Sequence, residues 1–88
     1  MVELKISQVD QDAIAARMAI IIGAEEFDRL FLGVEFAELE GDILFVSALD
    51  EGSADEMEEK YALHISVIAS KILQRPVAIV MVLPKAMV

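Results

Sequence analysis

Residues 34–83 read VEFAELEGDILFVSALDEGSADEMEEKYALHISVIASKILQRPVAIVMVL, and this stretch decides the fold. Two runs rich in branched and aromatic residues, 34–40 and 43–49, flank the turn signal Gly41-Asp42 and predict a β-hairpin. The alternation of the first run slips just after Phe36, which predicts a β-bulge there.

A long amphipathic helix and a further strand follow the hairpin. Ser53 and Glu56 have the spacing of a capping box, which predicts that the helix begins at this point. Pro76 stops the helix after about Gln74. The strand 77–83 is apolar on both alternating faces, so we expect it to lie between neighbours, with both faces covered at least in part. The helix has apolar residues every three or four positions: Ala54, Met57, Tyr61, His64 or Ile65, Ile68 and Ile72.

The N-terminal part of the chain predicts a first helix over about residues 10–22. Either Ser7 or Asp10 could cap its start, and Gly23 suits the left-handed geometry that ends a helix. One face of this helix is predicted to enter the core through four residues, Ile14, Met18, Ile21 and Ile22.

A second stripe on the first helix contains Ala13, Ala16 and Ile20. One interpretation is a mostly covered alanine face with a single exposed isoleucine, which is ordinary in globular proteins. The other is weak self-association, because small side chains let another surface approach closely. The sequence leaves both interpretations open.

Residues 24–31 predict a short second helix with Glu25 and Glu26 in its first turn, where acids complement the helix dipole. The element order is therefore α-α-β-β-α-β, which indicates an α+β fold with a three-stranded sheet and helices packed mainly on one face. An 88-residue chain without linkers or repeats is expected to form a single domain, 1–88, with its core in about residues 10–83.

The charge of the chain is unevenly distributed. All 16 acids lie at or before Glu59, where three bases oppose them, so residues 1–59 carry −13 and residues 60–88 carry +4. An acidic surface repels phosphate backbones and gains little from counterion release. We therefore expect no direct binding to nucleic acid.

The sequence contains no enzyme or cofactor motif. Phosphate-binding glycine loops, zinc-protease motifs and nucleophile elbows do not occur, and one histidine without cysteine is a poor zinc-ligand set. Pairs of adjacent acids are expected to flank turns and exposed helix faces rather than a cleft that could shift a pKa. These pairs are Glu25-Glu26, Asp50-Glu51, Asp55-Glu56 and Glu58-Glu59. We predict a protein that is not an enzyme and needs no metal or cofactor, with a cytoplasmic location and no membrane partner.

Three segments, EFDRLF at residues 26–31, AELEGDILFVSA at 37–48 and EKYALHI at 59–65, carry a family resemblance. In their order and spacing they resemble the amino-terminal domain of the bacterial chromosomal replication initiator DnaA. The resemblance covers about residues 10–83 and implies a KH-like fold with the same α-α-β-β-α-β order.

The resemblance implies an interaction module. In that family the domain recruits the replicative helicase, binds regulatory adaptors and self-associates weakly, while DNA recognition and ATP hydrolysis belong to other domains. By position, Glu26 corresponds to the family's helicase-contacting acid. The expected partner surface consists of the second helix and the edge before the third: Glu25, Glu26, Arg29, Asp50, Gly52 and Asp55.

This chain departs from the family at its aromatic anchors. Gln11 and Asp12 stand where many members have a self-association aromatic, and Gly52 stands where they have a partner-contacting one. The family's usual tryptophans on the second and third helices are replaced near Leu30 and Glu56. The −13 charge of residues 1–59 leaves open an alternative function, a stand-alone acidic regulator. Such an antagonist would present carboxylates to the basic groove of an initiator or other nucleic-acid-binding protein as DNA does.

Overall fold

The computed structural model describes residues 3–85 and shows an α+β fold, as predicted. Residues 1–2 and 86–88 of the predicted domain lie outside the described part. Three helices accompany a four-stranded mixed sheet, so the prediction of three strands is wrong. The elements are β1 (Glu3–Lys5), α1 (Gln8–Ile22), α2 (Ala24–Leu30), β2 (Glu35–Glu40), β3 (Ile43–Ala48), α3 (Glu51–Leu73) and β4 (Ile79–Pro84).

The additional strand is β1, which pairs antiparallel with β2 and places Leu4 opposite Leu39. The Ile6 N–H donates to the Ala37 carbonyl at 3.2 Å, and the Ile6 side chain is buried. A strand of three residues is too short to show a recognisable alternation. Its partner strand supplies the hydrogen bonds that hold it in place.

The sheet order is β1-β2-β3-β4, with β2 and β3 antiparallel and β3 and β4 parallel. The hairpin and its bulge are confirmed, because the β2–β3 register shifts between Phe36 and Glu38. The bulge lets Phe36 and Leu39, three residues apart, both enter the core. The turn at Gly41 has φ of 62°, a conformation that glycine adopts without strain.

The first helix begins earlier than predicted. Ser7 is its N-cap and accepts a hydrogen bond from the Asp10 N–H at 3.2 Å, which decides between the two predicted caps. Gly23 closes the helix with φ of 91°. Ile14 and Met18 are fully buried, but Ile21 is exposed, so its predicted place in the core is wrong.

The third helix also begins earlier, because its N-cap is Asp50. The Asp50 carboxylate accepts a hydrogen bond from the Ser53 N–H at 2.7 Å. The predicted capping box of Ser53 and Glu56 is therefore wrong, since both residues lie inside the helix. Aspartate is as favourable an N-cap as serine, and Asp50, which precedes Ser53, occupies the N-cap position.

All three helices contribute to one core against one face of the sheet. That face and its helices bury a contiguous apolar cluster that includes Ile14, Met18, Leu30, Leu44, Val46, Met57, Ile65, Val80 and Val82. The other face of the sheet stays open. Ile79, Met81 and Leu83 are 50%, 39% and 49% exposed, so this face of the last strand is covered only in part. The expectation that the last strand lies between neighbours is wrong, because β4 is at the edge of the sheet.

Gln74 closes α3 in the left-handed conformation, with φ of 55°. A side chain in this region costs about 1 kcal/mol relative to glycine, partly offset by glycine's greater freedom when unfolded. We expect Gln74→Gly to raise the free energy of unfolding by a few tenths to about 1 kcal/mol, measured by urea denaturation. Gln74→Val should lower it, because a β-branched side chain tolerates this conformation poorly. Equal effects of the two substitutions would contradict this account of the cap.

Candidate partner-binding site

Arg29 joins α2 to α3 through an ion-pair network. Its guanidinium donates to both carboxylate oxygens of Glu26, each at 3.0 Å, and to both oxygens of Glu56, with Nη1 at 3.1 Å from Oε1. Lys60 Nζ also donates to Glu56, at 3.0 Å. The Tyr61 hydroxyl donates to Glu26 at 2.6 Å. Planar, two-pronged arginine–carboxylate pairs fix geometry as well as charge.

The network shifts the pKa of every group at its centre. Hydrogen bonds from Arg29, and then from Lys60, lower the pKa of Glu56 from its ordinary 4.5 to about 2. Arg29, and then Tyr61, lower the pKa of Glu26. The two carboxylates raise the pKa of Arg29, and Glu26 raises the pKa of Tyr61. At neutral pH the two carboxyl groups are therefore ionised, and the guanidinium and the hydroxyl keep their protons.

A row of aromatic rings lies along the same α2–α3 contact. Phe27 stacks on Phe31 with ring centroids 5.5 Å apart, and Phe31 meets Tyr61 edge to face at 5.9 Å. Tyr61 meets His64 in the same way at 5.8 Å. The residue spacings within each helix are visible in the sequence, but the contact between Phe31 and Tyr61 depends on helix packing. Sequence reasoning therefore missed this row.

The six predicted partner residues have different roles in the structure. Glu26 and Arg29 are engaged in the network, whereas Glu25 and Asp55 are exposed on α2 and α3. Asp50 caps α3, and the Ser53 N–H lowers the pKa of its carboxyl. Gly52 is exposed inside the first turn of α3 rather than before the helix. The structure thus joins α2 to α3 through Glu56, which sequence reasoning had not assigned to the site.

The predicted self-association stripe on α1 is longer than expected. Ala16 is exposed, Ala13 is half-buried, and the stripe extends to Val9, with Val9 and Ile20 77% and 79% exposed. The spacing 9, 13, 16 and 20 follows the alternation of four and three residues that suits pairing of two helices. The first interpretation of this stripe, a mostly covered alanine face with a single exposed isoleucine, does not account for the exposure of Val9.

No known protein family matches this chain, and no significantly similar sequence was found among curated proteins. Within residues 3–85, no helix is both long and apolar enough to cross a bilayer. The described residues also contain no group of three histidine, cysteine or acidic side chains placed to hold a metal ion. The resemblance to the initiator domain therefore depends on the sequence segments themselves.

We expect Arg29→Gln to lower the melting temperature by a few degrees at pH 7, because it leaves Glu26 and Glu56 without their main partner. A lowered folded-state pKa means that Glu56 stabilises the fold above its ordinary value of 4.5 and loses that contribution as pH falls toward about 2. The difference in melting temperature between the variant and the wild type should therefore shrink over that range in thermal melts.

Arg17→Gln is the matched control for this prediction, since Arg17 is an exposed arginine on α1 outside the network. It should leave the melting temperature unchanged at every pH. A difference for Arg29→Gln that stays constant from pH 7 to pH 2 would show that the ion pairs do not stabilise the fold.

Proposed function

We propose that this chain is a protein-interaction module, resembling the DnaA amino-terminal domain, that recruits or regulates replication-initiation partners such as the replicative helicase or an adaptor. Its partner surface is the junction of α2 with the N-terminal half of α3. The resemblance of residues 26–31, 37–48 and 59–65 supports the choice of partners. The geometry of the junction supports the choice of surface.

The observation that carries the proposal is the way Arg29 ties α2 to α3. Its pairs with Glu26 and Glu56 hold the two helices in a defined relation across 27 residues of sequence. Around this tie, carboxylates remain exposed at Glu25, Asp28 and Asp55. A surface that is already ordered loses less conformational entropy when a partner binds.

The charges of this surface suit a partner with a basic patch. Carboxylates at an interface rim speed association and select partners, whereas affinity depends on the apolar centre. Half-buried Phe27 and exposed Leu49 are candidates for such a centre, because Phe27 lies in the middle of α2 and Leu49 directly precedes the N-cap of α3. The domain would therefore bind through an acidic rim around a small apolar contact.

Glu25→Arg tests the proposal. Glu25 is exposed in the first turn of α2, so reversing its charge should weaken capture of the replicative helicase several-fold without lowering the melting temperature. Asp42→Arg makes the same charge change at an exposed position of the β2–β3 turn, outside the proposed surface, and should leave capture unchanged. Surface plasmon resonance with purified helicase measures both. Equal binding by the wild type and Glu25→Arg would refute the proposed surface.

Glu26, the residue that the family resemblance selects, is a poorer choice for this test. It accepts hydrogen bonds from Arg29 and Tyr61, so Glu26→Arg would place a second cation beside Arg29 and weaken the fold as well. Loss of binding by that variant would not separate a partner contact from a disturbed junction.

The alternative function, an acidic antagonist that mimics DNA, is favoured by the −13 charge of residues 1–59. A competition experiment separates it from recruitment. A recruiting module forms a ternary complex with its partner and DNA, whereas a mimic displaces the DNA and loses affinity steeply as salt is raised.

A further inference from the structure

Apart from the α1 stripe, residues 3–85 have two further apolar surfaces that the chain leaves uncovered, one on each side of the sheet. The open sheet face is the side of β3 and β4 that the helices do not cover, and it presents Ile43, Phe45, Ile79, Met81 and Leu83. The α1–α3 groove lies in the helical layer and has a volume of 250 Å³. Arg17, Ile21, Val67, Ile68, Lys71 and Ile72 line the groove.

The open sheet face is apolar along β3 and β4 and acidic on its β2 side. The register places Ile79 beside Ile43 and Met81 beside Phe45, which makes a continuous apolar strip. On the β2 side, Glu38 and Glu40 lie opposite Phe45 and Ile43. Lys5 and Lys85 offset part of this charge, since Lys5 lies opposite Glu38 and Lys85 Nζ lies 3.9 Å from Glu35.

The outer edge of β4 is closed to another strand by a carboxylate. Parallel pairing directs the N–H groups of Ile79 and Lys85 toward β3, so the Val82 N–H points outward. The Glu58 carboxylate of α3 accepts a hydrogen bond from that N–H at 3.1 Å. A carboxylate on the edge and Pro84 at the strand end both discourage strand addition. At β4, a partner can therefore cover the face of the sheet more readily than it can extend the edge.

The α1–α3 groove has the opposite charge. Its apolar floor lies between Arg17 and Lys71, and within residues 3–85 neither of these cations forms an ion pair. Val67 and Ile21 are half-exposed beside them, and Leu63 extends the apolar surface along α3. In a chain with a net charge of −9, this is a local basic surface with an apolar centre.

We propose that the open sheet face of one copy of this chain binds the α1–α3 groove of a second copy. The two surfaces are complementary, because each has an apolar centre and their borders carry charges of opposite sign. Helices packed on the second face of a sheet are also the common way to complete such a layer. The molecular extents of 34 × 32 × 23 Å leave room on each face for the ~800 Å² per partner of a standard interface.

The contact is head to tail, because it joins two different surfaces. A heterologous contact whose rotation does not close continues from copy to copy, whereas a symmetric contact stops at two. This assembly uses neither the α2–α3 junction nor the α1 stripe of Val9, Ala13, Ala16 and Ile20. It therefore goes beyond the proposed recruitment of a partner and is independent of it.

The proposal can be tested with two variants, each of which disrupts one of the two surfaces. Met81→Lys places a cation on the open sheet face, and Val67→Glu places an acid in the α1–α3 groove. Each position is partly exposed, so each variant should fold, which circular dichroism checks. In sedimentation velocity, the wild type should associate with rising concentration and pass beyond the dimer. Each variant alone should associate at least tenfold more weakly.

The mixture of the two variants gives the decisive result. Met81→Lys retains its groove and Val67→Glu retains its open sheet face, so together they should form a 1:1 dimer that grows no further. Ile79→Lys and Ile21→Glu provide a second pair if either first variant fails to fold. Val9→Lys, on the α1 stripe, is the control and should assemble like the wild type.

Three outcomes would overturn the proposal: a wild type that stays monomeric at millimolar concentration, a single variant that still associates like the wild type, and loss of assembly in Val9→Lys. The last of these would show that the α1 stripe forms the contact. Met81→Lys and Val67→Glu should bind the helicase normally, and Glu25→Arg should assemble normally. Failure of this proposal is therefore distinguishable from failure of the proposed function.

Discussion

The packing of α3 against the parallel pair β3 and β4 is the contact on which the rest of the structure depends. Parallel neighbours cannot be joined by a tight turn, so the chain must cross over, and α3 is that crossover. Met57, Ile65 and Ala69 of α3 are fully buried in the core. Because α3 covers this side of the sheet, α1 packs beside it and α2 follows at its N-terminal half.

This arrangement also sets where charge appears on the surface. The acidic first half of α3 faces α2, where Arg29 binds Glu56, and the basic second half faces α1, where Arg17 and Lys71 border the groove. Covering only one face of the sheet leaves the apolar residues of β3 and β4 partly exposed on the other. The uneven charge of the sequence therefore gives α3 an acidic half beside α2 and a basic half beside α1.

Much of the candidate site could be predicted, but its central contact could not. Glu26 and Arg29 are three residues apart on a helix, so their pairing follows from helical periodicity. The pairing of Arg29 with Glu56 spans 27 positions and exists because two helices pack together. The spacing of Glu56 from Ser53 fits the second position of a capping box equally well, and that role is local. Only the position of the helix start, set by Asp50, excludes that role.

The sequence by itself determined the α+β class, the hairpin with its bulge after Phe36, and the order of the six longer elements. Those features depend on local rules, namely side-chain periodicity, turn residues and helix stops, which act over a few neighbouring residues. Only the tertiary structure decided that residues 3–5 form a fourth strand, that Ile21 lies outside the core and that one face of β4 is open. Each of these depends on which surfaces meet across the fold, and apolar residues on both faces of a strand do not show which face the chain itself will cover.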